Sequence, residues 1–227
     1  MAETFHFNIS MISRGKSKSA VASAAYISCE KIKNEWDGVT HDYHNKKGLL
    51  HSEIFLLENI PKEFQNRSFL WNSVELNEKA SNAQLARNFI IALPKELSFE
   101  ENKKLITEFI QENFVSKGMI ADLAIHDESN EGNNNIHAHI MTTLRPINEK
   151  GQWQAKSKKE YILDDEGNKI LNKNGKPKTR KVELTDWNNK GNAEKWRESF
   201  AEICNIYLER NNLEKRVDHR SFERQGI

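Results

Sequence analysis

Cysteine is nearly absent from this 227-residue chain: Cys29 and Cys204 are the only two, far apart and without a Cys-x-x-Cys pair. That spacing argues against a disulfide scaffold and a zinc ribbon, and both read as reduced structural thiols. Also missing is any apolar run approaching the ~20 residues that a membrane-spanning helix needs. The N-terminus, MAETFHFNISMISRG, has no apolar stretch followed by a small-residue cleavage site. No signal peptide is read there, and a cytoplasmic protein without membrane insertion is expected. No His-Glu-x-x-His occurs, which disfavours a zincin protease. The formal net charge of +1 says nothing by itself about nucleic acid.

What is present is a globular composition, 37% hydrophobic and 30% charged, long enough for one domain with a real core. Charge is segregated along the chain. Residues 53–131 carry 8 Lys and Arg against 14 Asp and Glu, whereas residues 150–183 carry 10 against 5. Such a chain can present a basic face to phosphates while staying near neutral overall.

Periodicity gives the elements. Residues 3–12 alternate and read as a strand, and alanine-rich 19–33 reads as a helix. Residues 51–57 suggest a second strand, 62–80 an amphipathic helix and 84–93 a buried strand ended by Pro94. Ser98 caps a helix that Gly118 closes. MIADLAIH at 119–126 and IHAHIMTTL at 136–144 are apolar strands joined by Glu131-Gly-Asn-Asn-Asn, strong turn chemistry for a hairpin. Residues 150–183, poor in apolar side chains, read as a flexible basic hairpin insertion. A helix at 190–211 (Trp196, Phe200, Ile203, Ile206, Tyr207) and a short strand near 214–218 follow. The expected class is α+β: a central, largely antiparallel sheet with helices on one face.

The strongest chemical signal is His126 with His137 and His139. On a strand, residues i and i+2 share a face, so His137 and His139 project side by side. Antiparallel pairing of the hairpin brings His126 beside them. Three neutral imidazoles converging on one point make a metal site with positions left for water or substrate. Such a site suits Zn, Mn, Ni or Cu by affinity, while a phosphodiester substrate favours Mg or Mn. His41 and His44 fall in an expected loop and read as surface. Spacing does not choose a nucleophile among the tyrosines: Tyr207 sits in an apolar stripe, Tyr43 and Tyr161 in expected loops, and Tyr26 on a helix.

Several stretches resemble the HUH endonucleases, in detail the MobA/MobL (MOB-Q type) conjugative relaxases and the staphylococcal nicking relaxases in particular. They are SKSAVASAAYISCEKI at 17–32, NAQLARNFIIALP at 82–94, GMIADLAIHDESNEGNNNIHAHIMTTLR at 118–145 and RVDHRSFERQGI at 216–227. The resemblance implies a relaxase domain over 1–227, the N-terminal part of a longer protein, that nicks and rejoins one DNA strand at a plasmid origin of transfer. It places Tyr26 at the nucleophile position and His126, His137 and His139 on a divalent metal ion, Mg or Mn in the cell, with Zn, Ni or Co as stand-ins in a structure. Glu78 falls near an acidic position the family uses close to the active site, with Glu75 one turn away. Asp218 lies in the C-terminal motif, and Asn88 stands where the family often has an acid.

The implied chemistry is transesterification. A phenol, with a pKa near ~10, is a poor nucleophile that a nearby cation improves. In-line attack leaves a 5′-phosphotyrosyl link and a free 3′-hydroxyl, with Glu78 accepting the tyrosine proton or orienting a metal-bound water. DNA would be held by Arg14, Lys16 and Lys18 near the nucleophile helix, and by Lys156, Lys158, Lys159, Lys178, Arg180 and Lys181 with Trp153 and Tyr161. Single-stranded or hairpin DNA is the expected partner, with relaxosome accessory proteins and a coupling protein beyond it. The rival readings are a rolling-circle replication initiator of the HUH class, a non-catalytic metal-stabilised nucleic-acid-binding module, and a hydrolase that uses water alone.

Overall fold

The computed structural model describes residues 5–127 and 135–226. Five strands form its central sheet: β1 (Phe7–Ser13), β4 (Leu49–Phe55), β5 (Gln84–Ala92), β6 (Ala121–Asp127) and β7 (Ile136–Thr142). Their spatial order is β1-β5-β7-β6-β4, and every neighbouring pair is antiparallel. Two hairpins stand outside it, β2 (Lys31–Lys33) with β3 (Thr40–Asp42) and β8 (Ser157–Tyr161) with β9 (Thr179–Glu183). The helices are α1 (Ala20–Ser28), α2 (Arg67–Asn77), α3 (Phe99–Asn113), α4 (Asn192–Arg210) and the short α5 (Phe222–Gln225). The α+β class, the antiparallel sheet and the β6–β7 pairing are as expected. The turn expected between β6 and β7 lies, apart from Asn135, outside the described residues.

Helices cover both faces of the sheet, which corrects the one-face expectation. On one face Phe89, Ile91, Leu123, Ile125 and Ile140 pack with Phe109 of α3 and Phe200 of α4. On the other, Ala86, Ala124 and Met141 pack with Ala24 of α1 and with Leu70 and Trp71 of α2. The near-continuous apolar character of β6 and β7 follows, since both of their faces are covered. Burying each large side chain here contributes about 1.5–3 kcal/mol relative to exposure.

Other differences have local causes. The helix expected over 19–33 stops at Cys29, which takes the left-handed conformation (φ 56°) and donates its N–H to Ala25 O. The chain then turns into β2, paired with β3, so His41 lies in a strand and its Nε2 is buried, while His44 is exposed. Tyr161 likewise lies in a strand, β8. The strand expected at 214–218 does not form. Asn205 of α4 instead takes both polar groups of Val217, donating to its carbonyl (2.9 Å) and accepting from its N–H (2.8 Å). Ile206 points outward, 42% exposed.

A buried ion pair locks α2 to the sheet. Arg67 donates Nε and Nη2 to the fully buried Asp122 of β6, at 2.9 Å for each closest contact, and Trp71 Nε1 donates to the same carboxylate at 2.8 Å. Arg67 also pairs with Glu30, just past α1. Among the described residues no helix is long and apolar enough to cross a membrane.

Candidate active site

The three histidines share one face at one end of the sheet. His126 lies opposite His137, and His139 lies opposite Ala124 on β6 and Ile90 on β5. Their ring centroids are 4.9 Å (His137–His139), 5.2 Å (His126–His139) and 5.8 Å (His126–His137) apart. All three are buried. Burial, reinforced by the neighbouring rings and Lys46, pushes the His139 pKa down to about 3, so this imidazole is neutral at pH 7.

Helix α1 lies over this face because its sequence lets it come close. Ala20, Ala24 and Ala25 are fully buried. Its N-terminus is fixed twice: Ser19 Oγ accepts from Ala22 N, and Glu75 Oε1 of α2 accepts from Ala20 N at 2.8 Å. At the other end the last carbonyls of a helix lack intrahelical partners. One of them, Ile27 O, accepts from His126 Nε2 at 2.6 Å. The negative end of the α1 dipole therefore faces the histidines and favours a cation there.

Tyr26 is in that last turn, 42% exposed. Its ring meets Tyr43 edge-on at 5.3 Å, and the ammonium of Lys46 lies 4.2 Å from its centroid. The same Nζ donates to His126 Nδ1 at 3.4 Å. Lys46 thus stands between the phenol and the imidazoles. The turn that carries it is pinned by Gly48 (φ +94°), whose O accepts from Asp127 N at 2.8 Å and where a Cβ would lie 2.8 Å from Asp127 O.

The donor set fits a divalent cation. His137 Nδ1 donates to Asn135 O at 2.8 Å, leaving its Nε2 lone pair available, and His126 offers Nδ1 because its Nε2 is committed to Ile27. Backbone carbonyls that fix the ring orientation are the usual outer support of metal-binding histidines. Among the described residues no group of three His, Cys, Asp or Glu side chains is already assembled in ligating geometry.

Other expected site residues are elsewhere. Glu78 accepts from Arg145 Nε at 2.6 Å and pairs with Lys156 Nζ at 2.7 Å. Burial pushes its carboxyl pKa up, but the hydrogen bonds from Arg145 and Lys156 outweigh that and leave it below the ordinary range. Lys156 also donates to Gln84 O, at the first residue of β5, whereas His137 lies opposite Ala92, the last. Nine residues of strand separate those ends by about 25 Å at ~3.3 Å per residue. Among the described residues the carboxylate partners of Glu78 are Arg145 and Lys156, and Tyr26 is not one of them. Asp218 bonds Arg220 and lines a cleft of about 880 Å³ beside Phe5 and Phe7, apart from the histidines.

Of the expected DNA contacts, Arg14 is already engaged: it pairs with Glu75 Oε2 at 2.7 Å and stacks on Trp36 at 3.9 Å. Trp153 is packed edge-on against Phe64 and forms the root of the basic hairpin rather than an open platform. Lys156 is the clamp to Glu78 just described. Lys16, Lys18, Lys158, Lys159, Lys178, Arg180 and Lys181 are exposed. Tyr161 is too, with Lys169 Nζ 3.9 Å over its ring. Sequence reasoning missed Lys46 and the Ile27 carbonyl. Nothing in His-Asn-Lys-Lys-Gly distinguishes Lys46 from Lys47.

Known proteins resemble this chain over nearly its whole length. The chain is 37% identical to the conjugal transfer protein TraA of Agrobacterium fabrum over 98% of its length, but spans 20% of that protein. It is 33% identical to a probable mobilization protein MobA of Bifidobacterium longum, again over 98% of the chain and 41% of the relative. The chain therefore spans less than half the length of either. A solved structure described as the molecular basis of vancomycin resistance transfer in Staphylococcus aureus superposes with a TM-score of 0.80 at 32% identity, over 97% of this chain and all of that one. The MobA/MobL family matches residues 18–227. With the histidine face and the α1 tyrosine both inside the matched residues, the chain belongs to the MobA/MobL family.

Proposed function

We propose that this chain is a relaxase domain that nicks, and later rejoins, one strand of plasmid DNA at an origin of transfer. One observation carries the reading: an exposed tyrosine at the end of α1 beside three buried imidazoles on one sheet face. Family membership and the names of the mobilization and conjugal transfer relatives support it.

Tyr26 is the nucleophile. Its Oη forms a bond to the scissile phosphorus as the bond to the 3′ oxygen breaks. The phenolic proton passes to solvent, and the 3′ oxygen leaves as a hydroxyl. The 5′-phosphotyrosyl link keeps the energy of the broken bond, so the 3′-hydroxyl can reverse the reaction. His126, His137 and His139 hold a divalent ion, Mg or Mn in the cell, which when bound supplies charge stabilisation at the phosphate oxygens. Ile27 O and Asn135 O orient two of these rings.

The partner is single-stranded or hairpin DNA. Lys16 and Lys18 before α1, and the exposed cations of β8 and β9 with Tyr161, would meet its phosphates and bases. Glu78, Arg145 and Lys156 hold the root of that hairpin to the body. Action in the cytoplasm with relaxosome accessory proteins and a coupling protein is the setting proposed. The reading is tested by the ends produced from a single-stranded origin oligonucleotide with Mg or Mn. A 3′ end that a polymerase extends and a protein-blocked 5′ end support it. Two free ends indicate hydrolysis by water and contradict it.

A further inference from the structure

We propose that Asn88 reads the base of a nucleotide next to the scissile phosphate and favours adenine there. The inference rests on the relaxase reading and deepens it: the nick site is chosen in part by an amide on the sheet itself.

The argument begins with what the helices leave uncovered. Side chains of a strand alternate between faces, so Asn8, Ser10 and Ile12 of β1 and Ala86, Asn88 and Ile90 of β5 share the face of the three histidines. Helices α1 and α2 bury this face at Ile12 and Ala86. Two residues further along each strand the cover ends. Ser10, Asn88 and Ile90 are half-buried, and Asn8 is exposed. This opening adjoins the histidines. Ile90 is directly opposite His139, and Asn88 is diagonal to His139, at about 7–8 Å.

The lining suits a base rather than a phosphate. Asn8, Ser10, Asn88 and Ile90 carry no charge, whereas phosphates are drawn chiefly by Lys and Arg. Sequence is read instead by hydrogen bonds and apolar contacts to bases. Asn88 Nδ2 donates to Oγ of Ser10, its partner across the strand pair, at 3.4 Å. The amide keeps one further N–H and its carbonyl oxygen, a donor and an acceptor side by side. Adenine offers the complement, its N6 amino group beside the ring nitrogen N7. Ile90, two residues along the same face, gives the base an apolar floor. A strand whose phosphate lies at the histidines therefore has a flanking base within reach of Asn88.

The test is the rate of covalent adduct formation with Mn2+ on the single-stranded origin oligonucleotide. Each base flanking the nick is replaced in turn by the other three. Wild type, Asn88→Ala and Asn88→Asp are compared, each checked for a native thermal transition. Wild type is expected to favour adenine at one flanking position by on the order of 10-fold. Asn88→Ala flattens that preference, while the base profiles at the other positions keep their shape. Asn88→Asp, whose carboxylate only accepts, shifts the preference to cytosine, whose N4 amino group donates. The role of Asn88 is overturned by a wild type indifferent to adenine, by a profile that Asn88→Ala leaves unchanged, or by a loss of adduct in both variants that is equal for all four bases. Each of these results leaves the relaxase reading standing. No adduct from wild type on any oligonucleotide removes that reading and the proposal together.

Discussion

His126 Nε2 lies 2.6 Å from the carbonyl oxygen of Ile27, the residue that follows Tyr26. One hydrogen bond across 99 residues of chain thus joins a histidine of the sheet to the turn that carries the tyrosine. The ring and the helix turn cannot separate without leaving a buried carbonyl unsatisfied, a penalty of about 1–3 kcal/mol. The orphan carbonyls of a helix end here register the turn of Tyr26 against the histidines.

The buried His139 makes the metal-free protein sensitive to acid. Its folded pKa is pushed down to about 3 from the ordinary 6.5, first by burial. Between those values the unfolded chain binds a proton that the folded chain refuses. Stability therefore falls as the pH drops from 6.5 towards 3 and is unaffected by this group above 6.5. Urea melts of wild type and His139→Asn in a chelator should converge as the pH falls through that window. Parallel curves would contradict the assignment.

Asp122 and Arg67 should behave as a unit. Asp122→Ala leaves a buried guanidinium without its main partner and should cost about 3–5 kcal/mol by denaturant unfolding. The double variant Arg67→Met/Asp122→Leu, which removes both charges, should recover most of that loss. Additive losses would mean that the pair is not the lock between α2 and β6.

Glu78→Gln separates the two roles considered for this carboxylate. As a clamp, its loss should speed tryptic cleavage within 156–181 several-fold while nicking of a single-stranded oligonucleotide stays within a few-fold of wild type. A loss of 10²-fold or more, the order seen when a general base is removed, would return Glu78 to the chemistry.

Replacing residues 157–183 by a short Gly-Ser link should weaken DNA binding and flatten its salt dependence. Each phosphate that the protein no longer neutralises reduces the slope of log K against log salt by ~0.7 for single-stranded DNA. An unchanged slope would show that the hairpin does not touch DNA.

Much of the fold was legible because its signals are local. Ser98 before α3 and the apolar runs of β6 and β7 each follow from neighbours in sequence. The histidine face was legible too, since strand alternation and one antiparallel pairing suffice to group His126, His137 and His139. What escaped depends on distant partners. Arg14 reads as a phosphate ligand until Glu75 and Trp36 are placed around it. The ion pairs of Glu78 with Arg145 and Lys156 have no sequence signal either. Lys46 has no signal of its own, because a turn held at Gly48 is what brings its ammonium to Tyr26.

The most direct test is a denaturing gel of the protein incubated with Mg or Mn and a labelled single-stranded origin oligonucleotide. The wild type is expected to show a covalent protein–DNA band, and Tyr26→Phe to lose it while still binding the oligonucleotide. A band that persists in Tyr26→Phe, or nicking by the wild type with no band at all, would contradict Tyr26 as the nucleophile.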